Sequence, residues 1–369
     1  MMTYKHLWKL SPHLYFVVVM VIILRWFWNG SIIANNQPVP HRSKQTQSKT
    51  LHPQPIFTIN QIQELSGMVF ASPKESWPQR QHIIRSTTWS IDIWMYDITY
   101  NRAKFELVKL LEQHIPMRVI LEDKKYRSFG NSAVGSKLLL EHAGARVLSD
   151  GALWLGTNFV HAKTFVTPHR VLMQTANLTK WWFGTSREHY IYLTDPHIVE
   201  DMKRLFNADR SGKPLNKDTL HPNIVVCPLN CRGIIEWMIS GARESIIIHN
   251  QYIQDPRIQQ LLSTKQKSGI TIQAIVANNE FTWHISKLLG TWSVSIVRSP
   301  YPHTKLLLID ERYLMISSIN LSTNSMDNNR ELGIIVTNPD AITYVKQTFA
   351  DDQHKAIKQK SSTRAGSTK

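Results

Sequence analysis

Cysteine is almost missing from this chain: of 369 residues only Cys227 and Cys231 are cysteines. That excludes a disulfide-built scaffold. It also excludes a zinc site of paired cysteines, because no second pair and no nearby histidine cluster completes one. A C-x3-C pair can close one small disulfide in an oxidising compartment or remain as two thiols, and both readings stay open. Acid is missing from both ends. Residues 1–57 carry six Lys or Arg and residues 353–369 carry five, with no Asp or Glu in either stretch. Eleven of the 16 net positive charges therefore sit in the termini, and the middle keeps about +5, which is ordinary for a phosphate-binding enzyme. Basic ends suit an anionic membrane surface at least as well as they suit nucleic acid.

Residues 14–24, Leu-Tyr-Phe-Val-Val-Val-Met-Val-Ile-Ile-Leu, form an unbroken apolar run preceded by Lys5 and Lys9. Arg25 interrupts it, and Trp26-Phe27-Trp28 continue it towards Ile33. Residues 14–33 together approach the roughly 20 needed to span a bilayer, and the tryptophans read as an interfacial belt. The segment 1–33 is therefore expected to be an uncleaved N-terminal apolar helix that anchors the chain. A cleaved signal and a buried core helix are the alternatives, and Ile32-Ile33-Ala34 makes a poor cleavage site. Basic-then-apolar order favours export of the catalytic part to the periplasmic or extracellular side. Residues 34–55, rich in Gln, Asn, Pro and Ser, read as a linker, and the Lys/Ser/Thr-rich residues 356–369 as a disordered basic tail.

Between these ends the chain repeats itself. Ser90–Tyr96 alternates like a strand, and its counterpart is Ser245–Tyr252. A helix follows each (Arg102–Gln113; Pro256–Gln266), then a strand (Met117–Leu121; Ile270–Val276), a helix (Val134–Ala143; Trp283–Leu289) and a short strand (Arg146–Leu148; Val294–Val297). Each half closes with a strand (Tyr190–Leu193; Gly333–Val336). Asp195-Pro196 or Asn338-Pro339 comes next, then a helix ending in Phe206-Asn207-Ala208-Asp209 or Phe349-Ala350-Asp351-Asp352. Alternating strands and helices predict an α/β fold in which each half is a sheet sandwiched by helices. A unit this long, present twice, argues for two facing lobes, residues 56–215 and 216–355, rather than a solenoid.

Inside the duplicated frame lies a duplicated set of polar residues. His161-Ala162-Lys163 precedes Thr175-Ala176-Asn177, and His303-Thr304-Lys305 precedes Ser318-Ile319-Asn320. Glu188, after Arg187, lies eleven residues past Asn177, and Glu331, after Arg330, lies eleven past Asn320. On a strand, alternate side chains share a face, so each H-x-K would set an imidazole beside a cation. A carboxamide from the next strand end can donate to a phosphoryl oxygen. Two such sets about a twofold axis make a phosphate site. One imidazole can attack phosphorus to form a covalent phosphohistidine, and the other can protonate the leaving alkoxide. Lys163, Lys305, Asn177 and Asn320 would hold the non-bridging oxygens, with no need for a metal or any other cofactor.

The doubled pattern resembles the phospholipase D superfamily and its paired H-x-K-x4-D motifs, over roughly residues 56–353. The resemblance implies two α/β/α sandwich lobes with pseudo-twofold symmetry and the active site between them. It implies His161 as nucleophile and His303 as acid, with Glu188 and Glu331 each hydrogen-bonded to a histidine. One residue departs from the pattern. The second motif is complete through Asp310, but the matching position in the first is Pro168, and the spacing to the Asn is one residue shorter. In the family that Asp supports the motif's backbone, so its loss bears on first-lobe geometry more than on phosphate contact.

Three classes of function fit. A phospholipid enzyme, either a phospholipase D or a phosphatidyltransferase of the cardiolipin-synthase type, agrees with the apolar N-terminal segment, the basic ends and the Asp195-Pro196 and Phe206–Asp209 stretches, which look like the cardiolipin-synthase-like branch. Trp181-Trp182-Phe183, between Asn177 and Glu188, would be an aromatic rim that meets lipid or stacks on bases, or else simply core. An endonuclease of the same superfamily is the second class; Ser90–Thr99 resembles the first strand of the small bacterial nucleases, which have one lobe per chain and dimerise. A degenerate, membrane-tethered phosphate binder is the third. Because both motifs lie in one chain, a monomer suffices for catalysis.

Overall fold

The computed structural model describes residues 62–73, 76–122, 132–149, 156–180, 184–279, 282–290 and 293–365. The expected anchor and linker and the Trp181–Phe183 cluster lie outside them. Among the described residues no helix is long and apolar enough to cross a membrane.

The first lobe holds β1 (Met68–Ala71), α1 (Ser76–Arg85), β2 (Ile91–Met95), α2 (Asn101–Glu112), β3 (Met117–Leu121), α3 (Ser132–His142), β4 (Arg146–Leu148), β5 (Thr164–Thr167), β6 (Arg170–Gln174), β7 (Ser186–Arg187), β8 (His189–Leu193) and α4 (Pro196–Ser211). The second repeats it as β9 (Ile224–Cys227), α5 (Cys231–Gly241), β10 (Ser245–Asn250), α6 (Pro256–Lys267), β11 (Thr271–Ala277), α7 (Thr282–Leu289), β12 (Val294–Val297), β13 (Tyr301–Pro302), β14 (Lys305–Ile309), β15 (Tyr313–Ser317), α8 (Thr323–Asn328), β16 (Glu331–Val336) and α9 (Pro339–Ala365). The seven-stranded sheets have the same order, β1-β8-β6-β5-β2-β3-β4 and β9-β16-β15-β14-β10-β11-β12. In each, strands joined through helices pair in parallel (β2 with β3, β10 with β11) and the hairpin strands pair antiparallel (β5 with β6, β14 with β15). Both are mixed sheets, as connection length dictates: hairpins give antiparallel neighbours, and parallel neighbours need a crossover.

Burial explains the strands. The Ile246-Ile247-Ile248 run of β10 is covered on both faces, as in central strands. Ile84, Ile93, Leu107 and Phe165 fill the outer layer of the first lobe, and Ile234, Ile248, Leu262 and Met315 that of the second. The inner faces of both sheets share one further cluster, to which α4 contributes Phe206 and α9 contributes Phe349. The lobes are thus joined through a common core. Local chemistry sets the helix ends: Asp195 caps α4 through the amides of His197 and Ile198, Pro196 opens it, and Gly212 closes it at φ 65°.

One expectation needs correction. His161 and His303 do not sit on strands; β5 begins at Thr164 and β14 at Lys305, so each imidazole leaves the chain just before its strand. The backbone there is occupied in pairing with the other lobe, as described below. The last helix, α9, runs from Pro339 to Ala365. The missing residue of the first motif is lost in the hairpin. Thr167 pairs with Arg170 around a two-residue turn, Pro168-His169, whereas Ile309 pairs with Tyr313 around three, Asp310-Glu311-Arg312. The shortening lies at the far end of the strand from the histidine.

Candidate active site

The chain segments before the two H-x-K motifs cross between lobes. Val160 bridges Arg330 in parallel, and the amides of His161 and Ala162 donate to the Arg330 carbonyl at 2.8 and 3.0 Å. In mirror fashion β13 pairs with β7, Pro302 opposite Arg187, and the His303 amide donates to the Arg187 carbonyl at 3.2 Å. The residue after each arginine is the glutamate, so each glutamate is delivered to the other lobe's histidine. His161 Nδ1 lies 2.8 Å from Glu331 Oε2, and His303 Nδ1 lies 2.6 Å from Glu188 Oε1. The carboxylate contact fixes Nδ1 of each ring as the N–H, which makes Nε2 the basic nitrogen.

Each glutamate is held by a hydroxyl of its own lobe, two residues before the asparagine. Thr175 donates to Glu188, and Ser318 donates to Glu331 at 2.6 Å. Each arginine crosses in the same direction as the glutamate beside it. Arg187 forms a two-point pair with Asp352 of α9 (2.6 and 2.8 Å), and Arg330 reaches Asp209 of α4 at 3.0 Å. Thr175, Ser318, Asp209 and Asp352 were not among the residues singled out as site residues, yet each repeats at a fixed offset in both halves, which is the signal that could have found them.

Lys163 and Lys305 are fully buried, and each Nζ donates to the carbonyl of its own motif's histidine. Asn177 and Asn320 follow β6 and β15 and are buried, and neither Oδ1 has a hydrogen-bond partner among the described residues. An unsatisfied Oδ1 calls for a donor, and it is the Nδ2 end of each carboxamide that can donate to a phosphoryl oxygen. Tyr96 packs edge-on to His161 with centroids 4.9 Å apart, and Lys163 Nζ lies 5.5 Å from the same ring. A cavity of about 420 Å³ opens beside His161, lined also by Tyr96, Phe159, Tyr252, Gln254 and Asn320.

Electrostatics follow from burial. Desolvation lowers the His161 pKa, against the pull of Glu331, and Lys163 and Lys305 lower it further. His303 is pushed down to about 4 by burial, partly opposed by Glu188, with both lysines again lowering it. Each imidazole therefore feels the lysine of the other lobe, so the two motifs converge on one place. Burial alone would raise Glu188, but His303 and Lys305 override it and hold it at about 2; Glu331 is lowered in the same way by His161 and Lys163. Lys305 is lowered to about 8 by burial, against both glutamates. Near neutrality the site is two neutral imidazoles, each oriented by a carboxylate, beside two lysines. That arrangement can bind an anion and present a nucleophilic nitrogen to it.

Asp310 lies away from this centre. Its carboxylate accepts from the amides of Arg243, Glu244 and Ser245 at 2.8–3.2 Å, fixing the loop that leads into β10. In the first lobe the hairpin is tied otherwise: Lys203 Nζ donates to the Pro168 carbonyl at 3.0 Å and Arg170 donates to Ser86 Oγ at 2.9 Å. Cys227 and Cys231 form a disulfide between β9 and α5, on the strand paired with β16, where Cys227 stands opposite Glu331.

A family model described as "Cardiolipin synthase, PLD-like domain" matches residues 81–210 and 235–353. No curated protein matches the chain. Among solved structures, polyphosphate kinase from Porphyromonas gingivalis is similar at 16% identity and TM-score 0.61, over 79% of this chain and 50% of that one. Phosphatidylserine synthase from Haemophilus influenzae Rd KW20 is similar at 13% identity and TM-score 0.64, over 81% of this chain and 87% of that one. The chain thus spans about half the length of the polyphosphate kinase, and at these identities both likenesses concern the fold.

Proposed function

This chain belongs to the phospholipase D superfamily, in the group with a cardiolipin synthase-type domain, and on that premise we propose that it hydrolyses or transfers phospholipid phosphodiesters through a phosphohistidine. The observation that carries the reading is the pair of crossed His–Glu contacts, by which each lobe's histidine takes its carboxylate from the other lobe.

The steps are as follows. His161 Nε2 attacks phosphorus; an N–P bond forms and the P–O bond to the leaving alcohol breaks. His303, having gained a proton as the anionic diester offsets the lysines, gives that proton to the departing oxygen. The incoming water or alcohol then loses its proton to His303 and attacks phosphorus, and the N–P bond breaks. Glu331 and Glu188 keep both rings in the required tautomer and stabilise the imidazolium that forms. Lys163, Lys305, Asn177 and Asn320 hold the non-bridging oxygens as charge develops. Asp310 supports the second-lobe frame. Membrane association and export are part of the same proposal; they rest on the apolar run at 14–33 and the basic ends.

The test is mass-spectrometric product analysis with phosphatidylcholine and phosphatidylglycerol vesicles, with and without added glycerol, in EDTA. Head-group release or exchange that disappears in H303A is expected. Cleavage of plasmid DNA with intact vesicles would replace the lipid reading by the nuclease one. Rates equal to those of H303A on every substrate would leave a phosphate binder.

A further inference from the structure

The two asparagine loops are supported from beneath by different side chains. In the second lobe Asn250, at the end of β10, donates through Nδ2 to the carbonyl of Ile319 at 3.2 Å. In the first lobe the donor is Arg80 of α1, which is fully buried. Its Nε donates to Gln174 Oε1 at 2.7 Å, and its NH2 group donates to the carbonyls of Ala176 at 3.3 Å and Asn177 at 3.1 Å. The guanidinium lies 4.7 Å from the centre of the Tyr190 ring.

The registers show that this arginine has no second-lobe equivalent. Trp94 pairs with Thr164, which follows Lys163, and His249 pairs with Leu306, which follows Lys305; Trp94 and His249 therefore correspond. Fourteen residues before Trp94 stands Arg80, and fourteen before His249 stands Ile235, a buried residue of α5. Where the second lobe packs an isoleucine, the first buries a guanidinium. Burial of a cation is costly unless its donors are used. Here the planar fork donates to three acceptors, the Gln174 side chain and the Ala176 and Asn177 carbonyls, a geometry a lysine cannot reproduce.

We propose that Arg80 is a positioning residue of the phosphate site, acting through the backbone of Ala176 and Asn177 to fix the Asn177 carboxamide. This rests on the reading of Asn177 as a phosphate ligand. Asn177 lies beyond a strand end, and its side chain has an unpartnered oxygen. Its orientation therefore depends on what holds its main chain. Arg80 does this by donating to the carbonyls of Ala176 and Asn177.

The experiment is a double-mutant cycle on the full chain, read by calorimetric binding of inorganic phosphate and by kcat/KM for phosphodiester turnover. R80M keeps bulk and removes all donors. We expect it to weaken phosphate binding about tenfold in the wild type and in N320A, but less than about twofold in N177A, since two residues acting as one unit are not additive. R80K, with one donor head, is expected to recover part of the loss; if R80M does not fold, R80K in the same three backgrounds gives the same pattern at smaller size. An equal factor in N177A and N320A, or no change in the wild type, overturns the inference. Coupling in phosphate binding without turnover of any phosphodiester would leave Arg80's role standing and defeat the proposed reaction.

Discussion

The two lobes reach one geometry with different parts. The second lobe carries the full H-x-K-x4-D motif, fixes its β10 entry with Asp310 and supports its asparagine loop with Asn250. The first has Pro168 in a shorter hairpin, ties that hairpin with Lys203 and Arg170, and supports its asparagine loop with Arg80. Behind the histidines, Trp94 of the first lobe donates to Asp209 at 3.0 Å, while the corresponding His249 has no hydrogen-bond partner among the described residues. What both lobes keep is the repeated set of His, Lys, Asn, Glu and the hydroxyl on the Glu. Support can vary because any donor at the right carbonyl will serve. The proposed reacting set is less free, because each histidine takes its carboxylate from the other lobe.

The strongest way to break the comparison is to remove one histidine from each side. H161A and H303A are each expected to lower kcat/KM by about 10³-fold or more, the nucleophile and the acid both being indispensable. A variant of either that retains a tenth of the activity would show that the lobes are not equal partners.

Next in size are the glutamates. E331Q and E188Q are each expected to lower kcat/KM by about 10²-fold or more through loss of tautomer control. In proton NMR, E331Q should abolish the downfield Nδ1–H signal of His161 and leave that of His303, and E188Q the reverse. If either variant disturbs the histidine of its own lobe instead, the crossed arrangement is wrong.

The pH profile separates the lobes further. In the proposed mechanism His161 must be the free base and His303 the protonated acid. With His303 held at about 4 and His161 below 6.5 in the free enzyme, kcat/KM should be bell-shaped with its optimum below pH 6.5 and should decline from there towards neutrality. Lys305, lowered to about 8, must be protonated to hold phosphate, so activity should decline further as pH rises through about 8. K305R should remove that further decline, since arginine keeps its charge.

The smallest effects concern the hairpins. D310A leaves three backbone amides of the β10 entry without their acceptor and sets alanine at φ 50°, so a loss of about 1–3 kcal/mol in thermal or urea unfolding is expected. D310N, which tolerates that φ, should lose less. P168D should change stability by no more than about 0.5 kcal/mol, because the two-residue turn does not offer the corresponding place. A large gain from P168D would mean that the first lobe is a damaged copy rather than a differently braced one.

The alternation of strands and helices and the repeated His, Lys, Asn and Glu could be read from the chain because each is local: apolar runs, alternation and fixed offsets. The crossing could not. It depends on backbone pairing of Val160 with Arg330 and of Pro302 with Arg187, contacts between residues far apart in sequence that leave no trace in either segment alone. Arg80 was equally hidden, because an arginine in a helix reads as a solvent-facing residue until its burial is seen. The hydroxyls of Thr175 and Ser318 stood in the quoted motifs, but a threonine and a serine two residues before an asparagine carry no role until the carboxylate they hold is in place.

The exchange of glutamates also bears on descent. A duplicated unit normally frees one copy to drift while the other keeps the activity. Here neither copy owns a finished histidine, so a change that spoils either glutamate is felt at once in the opposite half. Selection therefore acts on the two halves as one gene product with a single fitness. Divergence is channelled into the scaffolding, where Pro168 and Arg80 stand, and away from the few positions each half lends to the other.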